Sequence, residues 1–273
     1  MKISLVIRTL NEEQNIARCL DALNEQTLKP DEIIVVDNGS SDKTIEIVKT
    51  YQTTIDNLCI IKNNIRGYSN GLNLGFNFSS HPLLCFLSAD CFPEKNWLFE
   101  LKTTLINKEA FAVEGAQILA PENEVHHILK IESASHDKIH SVKYISNTNV
   151  LYNKSLLYKY MPFVDISEMG GEDTNLSIKL SKDSQLLFMN GKAKVIHNQF
   201  HDLEEFKKRM YKHGRLSRVF MFKFFFYPRT YLNSIYWSII DLIFYFKKND
   251  VRFLKFSWIR FSYTTKGFLG IKY

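Results

Sequence analysis

Three apolar runs within residues 1–90 predict buried β-strands. They cover residues 3–7, 32–36 and 82–88, and they lack the three-to-four-residue spacing of a helix face. Strands that are apolar almost throughout are typical of parallel sheets with helices on both faces. We therefore expect the third run to be a central strand that places Asp90 at its carboxyl end.

The segments between these runs have helical spacing. Apolar residues of segment 12–24 recur every three or four positions, which predicts a first helix with Asn11 as its cap. A second helix is predicted to begin near Asp42. The alternation of strands and helices indicates parallel strands joined by right-handed crossovers. The predicted fold class is therefore α/β, of a nucleotide-binding type.

Polar residues follow the first two predicted strands. Thr9 and Asn11 come after the first strand, and Asp37 and Ser40 come after the second. Ligands of open α/β sheets bind at the carboxyl ends of strands, and a carboxylate such as Asp37 can accept hydrogen bonds from a base and a ribose. An Asx-turn with Gly39 explains Asp37 equally well. Neither GxGxxG nor GxxxxGK[ST] occurs, which argues against dinucleotide enzymes and P-loop NTPases.

Asp90 is a candidate ligand for a divalent cation and, through that cation, for a diphosphate. Its position at the predicted carboxyl end of the central strand is where such a ligand is needed. The alternative is that Asp90 only caps a helix that begins at Pro93.

An acidic pair, Glu172 and Asp173, follows two glycines and precedes a helical pattern over residues 174–180. The dipole of that helix favours ionised carboxylates at its start, and an ionised carboxylate is what a general base needs. The alternative is that both acids only stabilise the start of the helix.

The composition indicates a folded protein with a substantial core, since 45% of its 273 residues are hydrophobic and 23% are charged. Its four cysteines have no CxxC spacing, so we expect reduced thiols of a cytosolic protein and no zinc site. Met1 and Lys2 directly precede the first strand, so we expect no signal peptide and a cytoplasmic location. Four histidines of segment 121–140 have no known metal spacing, so we expect solvated residues of a loop that shapes acceptor choice.

The positive charge is concentrated in the last quarter of the chain. The protein has a net charge of +6, but residues 201–273 contain 15 Lys and Arg against 5 Asp and Glu, a net charge of +10. Segment 203–227 has the pattern of a basic amphipathic helix, and Asp241 interrupts the apolar run 231–246, which is too short for a membrane span. We expect helices at an anionic membrane surface, peripheral to the inner face of the membrane. A hairpin packed on the catalytic domain or on a second subunit of a homo-oligomer is the alternative, and nucleic acid is not an expected partner.

Five segments, taken together, resemble a known enzyme family. They are ISLVIRTLNE (3–12), IIVVDNGSSDKT (33–44), GYSNGLNLG (67–75), FLSAD (86–90) and GGEDTNLSIKL (170–180). In this order and spacing, residues 1–200 resemble a family 2 glycosyltransferase with the GT-A fold, a mixed sheet flanked by helices. The resemblance implies an inverting transfer of a sugar from a nucleotide-diphosphate donor to a glycan or lipid-linked acceptor. It also implies a divalent metal, Mn²⁺ or Mg²⁺, and a role in bacterial cell-surface polysaccharide synthesis.

The resemblance implies roles for individual residues. Donor binding is assigned to Thr9, Asn11, Glu12, Asp37, Ser40, Arg66, Asn73 and Ser88. Asp173 is the implied general base, with Glu172 beside it to orient the acceptor. Asp90 and His197 are the implied metal ligands, although a core or loop role is the alternative for His197.

One position departs from the family pattern, because Ser88 stands where the family's DxD motif has its first Asp. A hydroxyl carries no charge, so the departure favours weaker metal binding or metal independence. It also motivates the hypothesis of a non-catalytic nucleotide-sugar-binding or scaffolding subunit of a glycan assembly complex. The predicted organisation is a catalytic domain over 1–200, with a donor half (1–110) and an acceptor half (111–200), and a helical appendage over 201–273.

Overall fold

The structure is a computed structural model that describes residues 1–65, 67–119, 137–166, 170–198, 202–224, 229–248 and 250–273. The chain forms two compact units. The first comprises Met1–Leu119 and Ser133–Asn198, and the second includes Gln199–Tyr273.

The first unit is a sheet with helices on both faces. In the described residues its strands are β1 Ile3–Thr9, β2 Glu32–Asp37, β3 Leu58–Lys62, β4 Leu83–Ser88, β5 Cys91–Pro93, β6 Ala112–Leu119, β7 Ile139–Ser141, β8 Asn149–Asn153 and β9 Leu187–His197. Its helices are α1 Ile16–Asn24, α2 Thr44–Tyr51, α3 Tyr68–Phe78, α4 Trp97–Asn107, α5 Lys154–Leu157 and α6 Glu172–Lys182.

The sheet is mixed, with parallel strands in its first half. Its order is β3-β2-β1-β4-β8-β6-β9-β5, and β7 pairs with β9. β1 runs parallel to β2 and to β4, which places Thr9 beside Asp37 and Arg8 beside Ser88. β8 is antiparallel to both of its neighbours. The predicted α/β class, with a mixed sheet flanked by helices, is confirmed, and the carboxyl ends of β1, β2 and β4 meet at one edge.

The central strands are apolar throughout because alternate residues face two different cores. On β1, Leu5 and Ile7 face the core covered by α1, α2 and α4, whereas Val6 faces the core covered by α3 and α6. On β4, Phe86 points into the second core, where its ring lies 6.0 Å from that of Tyr152 in an edge-on contact. Burial of each such side chain stabilises the fold by about 1.5–3 kcal/mol.

The loop after β1 differs from its prediction. α1 begins at Ile16 and not near residue 12, and Asn15 is the residue at its amino-terminal cap. Asn11 has a left-handed backbone, with φ 56°, and its Oδ1 accepts a hydrogen bond from the Ser41 N–H at 2.8 Å. The expectation that Asn11 caps α1 is wrong, because its side chain is bonded to the neighbouring loop.

Two further boundaries differ. Pro93 lies in β5 and α4 begins at Trp97, so Asp90 does not cap a helix that begins at Pro93. Residues 194–196, a run too short to indicate a long strand, form the end of β9, an 11-residue strand that pairs with β5, β6 and β7.

The second unit contains three helices in the described residues, α7 Leu203–Phe224, α8 Arg229–Lys248 and α9 Val251–Leu269. Glycines allow α7 and α9 to approach closely, since a Cβ on Gly267 would lie 2.0 Å from the Tyr211 carbonyl oxygen. Between α8 and α9, Arg260 Nε donates to Asp241 Oδ2 at 2.9 Å, with both side chains buried. Among the described residues, no helix combines the length and apolar character that crossing a membrane requires.

Candidate active site

Hydrogen bonds join the loops that follow β1 and β2. The Asn11 N–H donates to Ser40 Oγ at 2.9 Å, and the Glu12 N–H donates to Thr44 Oγ1 at 2.7 Å. The Glu12 carboxylate accepts from the Asn15 side-chain amide at 2.7 Å. The structure therefore brings Asn11, Glu12 and Ser40 together, and these bonds fix the shape of the sheet edge.

Thr9 and Asp37 lie side by side beneath these loops and are 2% and 5% exposed. Asp37 Oδ1 accepts from the Ser40 N–H at 3.0 Å, one residue beyond the Gly39 of the Asx-turn considered as the alternative. Thr9 Oγ1 is buried and has no hydrogen-bond partner in the part of the chain that the structure describes. An unsatisfied buried hydroxyl costs about 1–3 kcal/mol, and a polar ligand that bonds to it removes that cost.

The predicted metal ligands Asp90 and His197 are in direct contact. Asp90 lies just beyond β4 and His197 ends β9, and Asp90 Oδ2 is 3.1 Å from His197 Nε2. The other ring nitrogen, Nδ1, lies 2.8 Å from Gln117 Oε1 on β6. With the Gln117 oxygen as acceptor, Nδ1 is the donor of this hydrogen bond, and Nε2 is the ring nitrogen that faces the Asp90 carboxylate.

This arrangement fits a divalent cation. Two acceptors that face each other at 3.1 Å need a positive charge between them, either a proton or a metal ion. A carboxylate oxygen and an imidazole nitrogen, with a second residue fixing the imidazole, are suitable ligands for Mn²⁺. Cys91 is the third group in the cluster, with Sγ 3.9 Å from Asp90 Oδ1. Burial, together with the Asp90 charge, raises the pKa of the Cys91 thiol well above its usual value.

The acidic pair lies at the first turn of α6. Gly171, at the amino-terminal cap, has a φ of 96°, a left-handed conformation that a glycine adopts at little cost. Asp173 Oδ1 accepts from the Thr174 N–H at 2.6 Å, and Asp173 is half-buried. Glu172 is buried, and burial and the Asp173 charge raise its pKa. Glu172 is thus a buried carboxyl with a raised pKa, and Asp173 is the more exposed side chain of the pair.

Arg8 and Glu114 are charged residues of the site that the sequence analysis missed. Arg8, on β1 beside Ser88, lies against α3, where a Cβ on Gly71 would be 3.3 Å from its side chain. Its guanidinium opposes the rise in the pKa of Glu172. Glu114, on β6, is buried and accepts hydrogen bonds from the backbone and side chain of Ser146. Burial, with a smaller effect of the Asp173 charge, raises the pKa of Glu114 to about 8.

The remaining predicted donor residues have different surroundings. Ser88 lies at the end of β4, and its N–H donates to the Thr148 carbonyl at 2.9 Å. The Asn73 side-chain amide donates to the Phe163 carbonyl at 2.9 Å and accepts from the Phe163 N–H at 2.7 Å, and these two bonds join α3 to the loop that contains Phe163.

Arg66 lies outside the described residues, as do three of the four loop histidines, whereas His140 is exposed on β7. All four cysteines are free thiols, and Cys59 alone among them is exposed.

Comparison with known proteins identifies the family. Residues 4–161 match the family model described as glycosyl transferase family 2. The chain belongs to this family. The family predicted from the five sequence segments is thereby confirmed.

Two curated relatives illustrate the match to family 2 glycosyltransferases. Glycosyltransferase AglE of Haloferax volcanii is 40% identical over 99 residues, which cover 35% of this chain and 33% of AglE. The probable glycosyltransferase YdaM of Bacillus subtilis is 31% identical over 196 residues, which cover 66% of this chain and 46% of YdaM. The chain therefore aligns with less than half the length of each.

Solved structures confirm the GT-A fold. TarS of S. aureus in complex with UDP-GlcNAc superimposes with a TM-score of 0.60 at 17% identity, covering 81% of this chain and 67% of TarS. The mannosyltransferase PcManGT of Pyrobaculum calidifontis, solved with GDP-Man and Mn²⁺, superimposes with a TM-score of 0.65 at 14% identity. The match covers 99% of this chain and 73% of PcManGT. At these identities the similarity concerns the fold alone.

Proposed function

We propose that this family 2 glycosyltransferase transfers a sugar, with inversion, from a nucleotide-diphosphate donor to a hydroxyl of a glycan or lipid-linked acceptor. The donor-binding, catalytic and metal-binding residues are those assigned by the family resemblance, with Arg8 and Gln117 added from the structure.

The observation that carries this proposal is the position of Arg8. It lies in β1 beside Ser88 of β4, and Ser88 precedes Asp90 by two residues. The charge of Arg8 also acts on Glu172 of α6. Arg8 therefore links the acidic pair of α6 to the carboxyl ends of β1 and β4, and Asp90 follows β4. A diphosphate bound there has a positive group close by, and an acceptor hydroxyl has a carboxylate.

Asp173 acts as the general base in this proposal. It is half-buried at the first turn of α6, where its Oδ1 accepts a hydrogen bond from the Thr174 N–H at 2.6 Å. Asp173 takes the proton of the acceptor hydroxyl while that oxygen attacks the anomeric carbon in line with the departing diphosphate. Glu172 has a raised pKa and is suited to holding the acceptor in place through hydrogen bonds.

Asp90 and His197 would hold the divalent cation, and Gln117 would keep His197 in the tautomer that binds it. A bound Mn²⁺ or Mg²⁺ neutralises negative charge on the leaving diphosphate. The Arg8 guanidinium adds a second positive charge at the same edge, beside Ser88, with which the departing diphosphate can pair.

Thr9 and Asp37 are proposed to receive the base and ribose of the donor. The unsatisfied Thr9 hydroxyl and the buried Asp37 carboxylate offer hydrogen-bonding groups in an otherwise apolar strand end. Glu12, Asn11 and Ser40 maintain the loops above them. TarS and PcManGT are solved with UDP-GlcNAc and GDP-Man, so uridine and guanosine donors are the first candidates.

The proposed setting is cell-surface polysaccharide synthesis at the cytoplasmic face of a membrane. The helices of residues 201–273 carry a net charge of +10, which favours an anionic surface as their partner.

Calorimetric titration of the full chain with UDP, GDP and dTDP, with and without Mn²⁺, tests the proposal. We expect one nucleotide to bind, with affinity that falls at least tenfold without Mn²⁺ and in Asp90→Ala. Binding that is indifferent to metal would contradict the metal assignment. Nucleotide binding without any transfer or donor hydrolysis would favour the scaffolding subunit, for which Ser88 is the supporting observation.

A further inference from the structure

The second unit exposes a row of large apolar side chains on α8 and α9. They recur every three or four residues along each helix, which places them on one face of each. The residues and their exposed fractions are Tyr236 56%, Ile239 53%, Ile243 43%, Phe246 80%, Val251 59%, Leu254 46%, Trp258 69% and Phe261 44%. We call this set the α8–α9 apolar face.

A groove of about 540 Å³ runs between the two helices beside this face. Its lining includes Ile235, Leu242 and Leu254, and its polar residues are Ser238 and Ser257. The Ser257 hydroxyl donates to the Ser238 carbonyl at 2.8 Å, so it is already satisfied within the hairpin. The groove thus offers a ligand mainly apolar contact. A soluble protein rarely exposes so many large apolar groups together unless they meet a partner or a membrane.

Two apolar residues of α7 pack inside the unit and not on this face. Phe206 and Met210, two of the apolar positions predicted for its amphipathic pattern, are 0% and 5% exposed. The Phe206 ring lies 5.1 Å from that of Phe256 on α9, inside the unit. These two residues of the helix predicted to lie on a membrane are therefore used for packing.

Charge distinguishes between two possible partners of the apolar face. Two acidic residues lie in α8, α9 and their connection, and each is neutralised by an arginine. Asp241 pairs with Arg260 in the interior, and Asp250 pairs with Arg252. Lys247 and Lys255 are exposed on the same two helices. Two copies of the chain packed through this face would bring two copies of segment 201–273, each of net charge +10, together, whereas an anionic bilayer would attract the same charges.

We propose that the α8–α9 apolar face is the surface by which the protein lies on an anionic membrane, with Phe246 and Trp258 inserted at the level of the lipid headgroups. Lys247 and Lys255 contact the anionic headgroups. This inference rests on the proposed membrane setting and specifies the surface that is responsible. None of the described helices is suited to crossing the membrane, so the hairpin lies in the plane of the interface.

Sedimentation of the full chain with phosphatidylglycerol–phosphatidylcholine vesicles tests the proposal. Phe246→Ser with Trp258→Ser is compared with a matched pair in the first unit, Phe78→Ser with Phe99→Ser, whose side chains are 57% and 50% exposed. We expect the first pair to lower the partition coefficient about tenfold or more and the control pair to lower it less than twofold. Lys247→Glu with Lys255→Glu is expected to lower it about tenfold, and vesicles of pure phosphatidylcholine should bind the unaltered protein weakly.

Equal sedimentation of the Phe246/Trp258 variant and the control would overturn the proposal. So would a dimer in vesicle-free solution that this variant dissociates, because a second copy would then cover the face. Nucleotide binding by the same variants, measured in parallel, is expected to be unchanged because the donor residues lie in the first unit. If the Phe246/Trp258 variant loses vesicle binding but keeps nucleotide binding, the result supports the apolar face as the membrane surface and leaves the transferase proposal unaffected. If the unaltered protein binds no nucleotide, the result contradicts the transferase proposal and leaves the membrane proposal unaffected.

Discussion

His197 and Asp90 are 107 positions apart in the sequence, yet Nε2 of His197 lies 3.1 Å from Oδ2 of Asp90. Pairing of β5 with β9 produces this contact, since Cys91 is aligned with His197 in the ladder. The Asn198 N–H also donates to the Asp90 carbonyl at 2.9 Å, which fixes the backbone on both sides of the contact. The two residues are therefore held together by the sheet.

Gln117→Leu should lower the affinity for Mn²⁺ about 10- to 100-fold while leaving both proposed metal ligands in place. The substitution removes the acceptor 2.8 Å from Nδ1 that keeps the Nε2 lone pair directed at Asp90. Isothermal titration with Mn²⁺ in the presence of nucleotide measures the effect. Gln52→Leu, at an exposed position of the same unit, is the control and should bind normally. Equal Mn²⁺ affinity in the two variants would show that Gln117 does not orient His197.

Glu114 should make the protein less stable as pH rises from 5 to 8. In the folded state its carboxyl keeps a proton up to about pH 8, whereas the usual value in an unfolded chain is 4.5. Between these values the unfolded chain has released a proton that the folded chain retains, so the free energy of unfolding falls with pH. The loss is on the order of 4 kcal/mol.

Urea unfolding of Glu114→Gln at pH 5 and pH 8 measures this contribution. The variant should lack most of the decrease, whereas Glu46→Gln, at an exposed position of α2, should keep it. A decrease of the same size in Glu114→Gln would mean that another group causes it.

Gly267→Ala should destabilise the helical unit by about 3 kcal/mol, because the new Cβ would lie 2.0 Å from the Tyr211 carbonyl oxygen. Backbone atoms cannot rotate away as a flexible side chain can, so α7 and α9 would have to separate. Helical circular dichroism during thermal unfolding reports the change. Ser262→Ala on the same helix serves as the control and should be nearly neutral, and a Gly267→Ala variant as stable as this control would show that α7 and α9 are not in close contact.

The first half of the sheet was predictable because its signals are local. β1, β2 and β4 are apolar runs, and their polar ends carry Thr9 and Asp37 to one edge. Asn11 was misjudged as a helix cap because capping residues and loop-bridging residues have the same chemistry. Only the neighbouring loop, which supplies the Ser41 N–H, distinguishes the two roles.

The residues that the sequence analysis missed depend on pairing between distant strands. Gln117 acquires a role only because β6 runs beside β9, which aligns the two strands near His197. Glu114 had one local signal, a charged residue within an apolar strand, but nothing near it in sequence indicated Asp173 as a neighbour. The burial of Phe206 and Met210 likewise follows from the packing of α7 on α9.

The central claim is that Asp173 is the base of a sugar transfer, and Asp173→Asn tests it most directly. The change keeps the size of the side chain and removes its ability to take a proton. With the nucleotide sugar identified by titration, we expect the transfer rate to fall at least 10³-fold while nucleotide affinity changes less than threefold. Asp183→Asn, at the end of the same helix and paired with Lys159, is the matched control and should keep its activity. A rate for Asp173→Asn within tenfold of this control would contradict the account.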